Sequence, residues 1–220
     1  MYEITELPSA TPVSSAGRLF FCMYYLNTAT DADASFQRAA KTWIRETKTQ
    51  FSFREGVDIF LEQSVTTEKQ FKSAWNGIAQ QASYNGMKVS VGQLLTHATK
   101  DATGQDGLEF KPVAGDGTLT QTDIAGLAKM PWSSDGALIL AGCNTGLTGD
   151  GRTWTPAGEF AKGQKVRTLG QAGYAYFSKV WSSYTTQAKT DPNIALWAYK
   201  RGKNATVGDG SRLKGVLVQP

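Results

Sequence analysis

Apolar runs of strand length alternate with amphipathic helical stretches from residue 17 to the 170s, and no other feature narrows the fold as much. "GRLFFCMYYLN" (17–27) is almost continuously apolar and bounded by Gly17 and Asn27, the pattern of a strand buried on both faces. Over 31–50 the apolar residues change period: Phe36, Ala39, Ala40, Trp43 and Ile44 share one helical stripe. "VDIFLEQSV" (57–65) returns to strand. Thr67 followed by Gln70 has capping-box spacing, and Phe71, Ala74, Trp75, Ile78, Ala79 and Ala82 form the stripe of a second helix. "YNG" (84–86) stops it, and "MKVSVGQLLTHA" (87–98) reads as a third strand ending at His97. Repeated strand–helix–strand units close through right-handed crossovers. The expected fold is therefore α/β, a mainly parallel sheet with helices on both faces.

The pattern loosens beyond residue 98. "GLEFKPVAGDGTLTQ" (107–121) predicts a hairpin around Gly115-Asp116-Gly117, and 122–130 a short helix capped by Thr122. A fourth strand is expected over 136–143, a helix from Thr155-Pro156 to Gly163, and a fifth strand region over 165–178. The tail, 193–219, reads as two strands joined by a Gly-rich turn. Sheet strands are thus expected near 18–26, 57–64, 88–96, 137–142 and 168–177. Residues 1–17 read as a flexible N-terminal arm and 18–220 as a single α/β domain, a size that buries a large core.

Composition excludes several classes. No apolar stretch is long enough to span a membrane, and the first 17 residues have neither the basic start nor the apolar run of a cleavable signal peptide. This points to a cytoplasmic protein, or one exported without such a peptide. Two cysteines, Cys22 and Cys143, make no disulfide framework. Charge is uneven: residues 1–150 carry 12 Lys+Arg against 16 Asp+Glu, a balance of −4, and 151–220 carry 11 against 3, a balance of +8. Those basic residues are scattered, without a recognition motif or interleaved aromatics, so a solvated or partner-facing surface is expected rather than a specific nucleic-acid site. One histidine and two cysteines without an acidic cluster make no metal site, and no motif asks for a cofactor. Oligomeric state is left open by the sequence.

His97 is the chain's single histidine, and it ends an apolar strand. Cys143 ends the next predicted parallel strand, in "ALILAGCNTG" (137–146). In such sheets function gathers at the carboxyl ends of the strands. A cysteine attacks as its thiolate, and a nearby imidazole can both favour that form and return a proton to the leaving group. Small residues at Ala98 and Gly142 would let a carbonyl approach the backbone, whose N–H groups could hold an oxyanion. Cys22, between Phe21 and Met23, reads as a core residue.

"QLLTHA" (93–98) and "LILAGCNTG" (138–146) resemble the two blocks of the caspase, legumain and gingipain clan of cysteine peptidases. There an apolar block ends in His and a second ends in small-small-Cys. "AGCNTG" is also similar to the cysteine motif of the bacterial caspase-like (CHAT) group. The likeness in element order runs from about Arg18 to Ser178. The resemblance implies a caspase-like fold and a cysteine endopeptidase, such as a bacterial effector or toxin domain, acting on a protein or peptide substrate. His97 would be the general base and acid, Cys143 the nucleophile, and the backbone at Ala98 and Cys143 the oxyanion site. A substrate chain would lie extended along the edge of the strand after Cys143. One position departs: the clan usually has Gly directly after the histidine, where this chain has Ala98. Two alternatives stand beside the peptidase: a non-catalytic caspase-like protein-binding module, and an unrelated doubly wound domain binding a small ligand at its switch point.

Overall fold

A computed structural model describes residues 16–26, 35–100, 106–113, 116–149, 151–171, 174–178, 195–199 and 216–220. Its first half is β1 (Arg18–Tyr25), α1 (Ser35–Gln50), β2 (Ile59–Val65), α2 (Glu68–Tyr84) and β3 (Lys88–Leu95). A side sheet follows, β4 (His97–Lys100), β5 (Asp106–Val113) and β6 (Asp116–Leu119), and then α3 (Gln121–Ala125). The chain continues through β7 (Trp132–Leu140), α4 (Pro156–Gln164), β8 (Arg167–Gly170), β9 (Tyr174–Ser178), β10 (Ala195–Tyr199) and β11 (Val216–Val218).

Six strands form the main sheet in the order β11-β8-β7-β3-β1-β2. All neighbouring pairs are parallel except β11 with β8. Consecutive residues of β1 show how both faces are covered. Phe20 points to one side, where it meets Phe51, Phe53 and Phe60, and Trp43 of α1 packs edge-on against Phe60. Phe21 points to the other, where Trp75 of α2 lies edge-on at 5.8 Å and Phe160 of α4 packs on that tryptophan. Helices therefore flank both faces, and β1 is buried along nearly its whole length. Gly92 of β3 lies opposite Phe21, where any Cβ would run into the ring at 2.2 Å. The Thr67–Gln70 capping box forms as the sequence predicts, and Phe71, Trp75, Ile78, Ala79 and Ala82 are the buried face of α2. Cys22 is fully buried core.

Several boundaries move. The apolar run 87–98 divides: β3 ends at Leu95, and His97 opens β4, which pairs antiparallel with β5 in the side sheet. Composition does not change across this bend, so the run alone carries no sign of it. Strand β7 begins at Trp132 and ends at Leu140, so Cys143 stands in the following turn rather than in the strand. Thr120, not Thr122, caps α3, through a reciprocal box with Asp123. Helix α4 runs past Gly163 to Gln164 and stops where Lys165 takes φ 55°. The region 165–178 is two strands in different sheets, β8 in the main sheet and β9 against β10. The tail strands β10 and β11 likewise belong to separate sheets and make no hairpin with each other. The hairpin of β5 and β6 is present.

Residues 1–15 of the expected N-terminal arm lie outside the described residues. Residues 16 and 17 are anchored: Ala16 O accepts from Arg54 at 2.8 Å, and Gly17 fits so closely that a Cβ would sit 2.3 Å from Val57 O. Most of the basic carboxyl-terminal third, residues 179–194 and 200–215, also lies outside the described residues. Among the described residues, no helix is long and apolar enough to cross a membrane.

Candidate functional site

Strand order β2-β1-β3 means that successive connections run to opposite sides of β1, so the topological switch point lies between β1 and β3, at their carboxyl ends. Tyr25 ends β1 there and is fully buried, and Phe36 arrives from the first turn of α1. The His97 ring, half-buried, packs against both. Its centroid is 5.4 Å from Tyr25 at 63° and 4.8 Å from Phe36 at 88°. Such edge contacts fix the plane of the imidazole by packing.

Cys143 follows the next strand. In the parallel β3–β7 ladder Leu94 lies opposite Leu140, and Ala141 N–H donates to Leu94 O at 2.8 Å. His97 and Cys143 each come three residues after that pair, so the register carries them to the same end of adjacent strands. The two segments still touch past the ladder. A Cβ at Gly142 would lie 3.1 Å from Thr96 O and 3.2 Å from the Ala98 methyl. Glycine is what admits this approach. Ala98 itself stands in extended strand, where an L-residue carries no backbone strain, and it is half-buried.

The cysteine is half-buried, outside any disulfide, on a turn whose next residue, Asn144, takes φ 57°. That left-handed conformation suits asparagine better than almost any other side chain. Thr145, fully buried, holds the turn: its hydroxyl donates to Gly142 O at 3.0 Å and accepts from Gln171 N–H at 3.0 Å. Ala157 N–H in α4 donates to Thr145 O at 2.9 Å, and Gly146 N–H to Gln171 O at 2.9 Å. Gly146 also lies against Gly170 of β8, where a Cβ would be 2.9 Å from the carbonyl carbon. The turn is thus fixed to two neighbouring elements. The other cysteine is chemically different: burial, reinforced by the Glu62 carboxylate, pushes the Cys22 thiol well above its ordinary value.

The structure therefore brings together the segments holding all three residues singled out in the sequence, His97, Ala98 and Cys143. The sequence did not single out Tyr25, Phe36, Thr145 or Gln171. Tyr25 and Phe36 look like any core aromatics along the chain, and Gln171 carries no motif. Gly142, read with Ala98 as leaving room beside the backbone, was the one legible hint of tight backbone contacts. The expected substrate edge is corrected. The strand after Cys143 is β8, and its edges are occupied by β7 over 167–169 and by β11 over 168–170. A substrate chain cannot pair there. Among the described residues, no group of three His, Cys, Asp or Glu side chains could hold a metal ion. No protein-family model matches the chain, and no curated protein matches it.

Proposed function

We propose that the protein is a cysteine peptidase of caspase-like type that hydrolyses peptide bonds with a His97–Cys143 dyad. The observation that carries this reading is the equal offset of the single histidine and a half-exposed cysteine beyond the Leu94–Leu140 pair. It falls at the end of the sheet where α/β proteins assemble their sites. In the reaction His97 takes the proton of the Cys143 thiol, and the sulfur attacks the substrate carbonyl carbon. The oxyanion that forms lies by the backbone N–H groups near Ala98 and Cys143. Collapse breaks the C–N bond, and His97 returns the proton to the leaving amine. Water then attacks the thioester, giving its proton to His97, which protonates the departing sulfur. Protein or peptide is the substrate class, and the site calls for no metal or cofactor. A bacterial effector or toxin domain is the setting the resemblance favours.

One observation favours a second reading, a caspase-like module that binds a partner without cleaving it. The Ala98 methyl packs beside Gly142, where the clan usually has a glycine. Hydrolysis of a diverse peptide pool by the wild type and by Cys143→Ala and His97→Ala decides between them. The peptidase reading expects cleavage by the wild type and a loss of several orders of magnitude in each variant, with unchanged circular dichroism. Cleavage that survives Cys143→Ala overturns it.

A further inference from the structure

His97 opens β4 directly opposite Glu109 of β5, in an antiparallel ladder that next pairs Ala98 with Leu108. Opposed residues in such a ladder project from the same face with Cβ atoms about 5 Å apart, which a glutamate side chain easily spans. The two rows are chemically distinct. Ala98, Leu108 and Leu119 form an apolar row whose two leucines are fully buried, and His97, Glu109 and Thr118 form the other, half-buried and polar. A carboxylate in the polar row has a clear physical effect on its neighbour: it favours the imidazolium and orients the ring.

Among the described residues, few other ionisable groups compete for that role. The first turn of α1, which delivers Phe36 to the ring, carries no carboxylate and one cation, Arg38. Strand β1 contributes Tyr25, β6 the uncharged Thr118, and the turn after β7 the Cys143 thiol. We propose that Glu109 is the positioning carboxylate of His97, setting the ring from the β5 side while Tyr25 and Phe36 set its plane. Resting on the peptidase reading, this makes Glu109 the group that stabilises the imidazolium formed when the thiol proton reaches His97.

The single histidine makes the test direct, because its ring proton gives one resolved NMR signal in the full chain. The titration is followed in wild type, Glu109→Gln, Glu109→Asp and Arg38→Gln, each checked by circular dichroism, with hydrolysis measured alongside. Removing the carboxylate is expected to move the histidine midpoint to lower pH in Glu109→Gln, with Glu109→Asp recovering part of the change. Hydrolysis by Glu109→Gln should fall about tenfold or more in kcat with KM little altered, its acid limb moving to lower pH with the histidine. Arg38→Gln should not reproduce that downward movement, since removing a cation acts in the opposite sense. A midpoint unchanged in folded Glu109→Gln overturns the assignment, whether or not peptides are cleaved. A midpoint that moves in a chain that never cleaves a peptide leaves the pair standing and removes the peptidase reading.

Discussion

Adding one methyl group to the chain is expected to have opposite effects at two glycines. At Gly146, an added Cβ would lie 2.9 Å from the carbonyl carbon of Gly170 and 3.1 Å from its Cα and O. All three are backbone atoms of a strand held on one side by β7 and on the other by β11, so they cannot yield as a flexible side chain does. The turn must give instead, by a few tenths of an ångström, stretching the 2.9 Å bond from Gly146 N–H to Gln171 O. Overpacking of this kind costs about 1–3 kcal/mol. For a chain of this size that lowers the melting temperature by roughly 2–12 °C. The same displacement reaches Cys143, three residues back along the turn. Since a misplacement of about 1 Å can cost a hundredfold in rate, a loss near tenfold is expected here. At Gly77, inside α2, nothing lies within 4 Å of an added Cβ. Gly77→Ala should therefore stabilise by about 0.5–1 kcal/mol through helix propensity and leave the site untouched. Thermal melts by circular dichroism, with Cys143 alkylation rates, read both effects. If Gly146→Ala melts with the wild type and alkylates at the same rate, the turn is not fixed by the Gly146–Gly170 approach and the reasoning fails.

The Asp58 carboxylate is fully buried; burial alone would raise its pKa, but Arg18 at 2.6 Å and Arg54 at 2.9 Å hold it well below the usual carboxylate range. A depressed folded-state value means the stabilisation is complete above about pH 4 and is lost as pH falls through the acid range. Urea unfolding should show that loss in the wild type, and Asp58→Asn should flatten it while costing about 2–4 kcal/mol at neutral pH; an unchanged acid limb would contradict the assignment. Trp75 is fully buried between Phe21, Phe71 and Phe160 and donates to Ala128 O at 2.8 Å. Trp75→Ala should cost about 3–5 kcal/mol by denaturant titration, and a loss under about 1 kcal/mol would mean the helix does not close that face.

How much of this was legible depended on whether a signal was local. The α2 stripe and its Thr67–Gln70 box are short-range features, and both form as read. The buried parallel strands announce themselves as apolar runs because helices cover both faces. What the sequence hid is where chains leave the sheet. The run 87–98 stays apolar through the bend at Thr96 because the side sheet that receives His97 is also packed on the core, through Leu108 and Phe110. The stretch 165–178 reads as one strand, while its change of sheet is set by distant partners, β11 for one half and β10 for the other. His97 and Cys143 were legible as rare residues at strand ends. Their common register with Leu94 and Leu140 was not, since pairing is written in no single segment. Glu109 was hidden likewise, because its position opposite His97 exists only once β4 and β5 pair.

Chemical activation of Cys143 by His97 is the central claim, and alkylation of the native protein measures it without any knowledge of the substrate. Cys22 is fully buried with its thiol pushed up, so it serves as an internal reference that stays unmodified until the chain unfolds. Iodoacetamide rates at each cysteine, followed by mass spectrometry from about pH 5 to 9, are compared between wild type and His97→Ala. The account predicts rapid modification of Cys143 near pH 6–7 in the wild type and a rate at least about tenfold lower in His97→Ala at the same pH. A Cys143 that alkylates like an ordinary thiol, with a pH profile indifferent to His97→Ala, would contradict it.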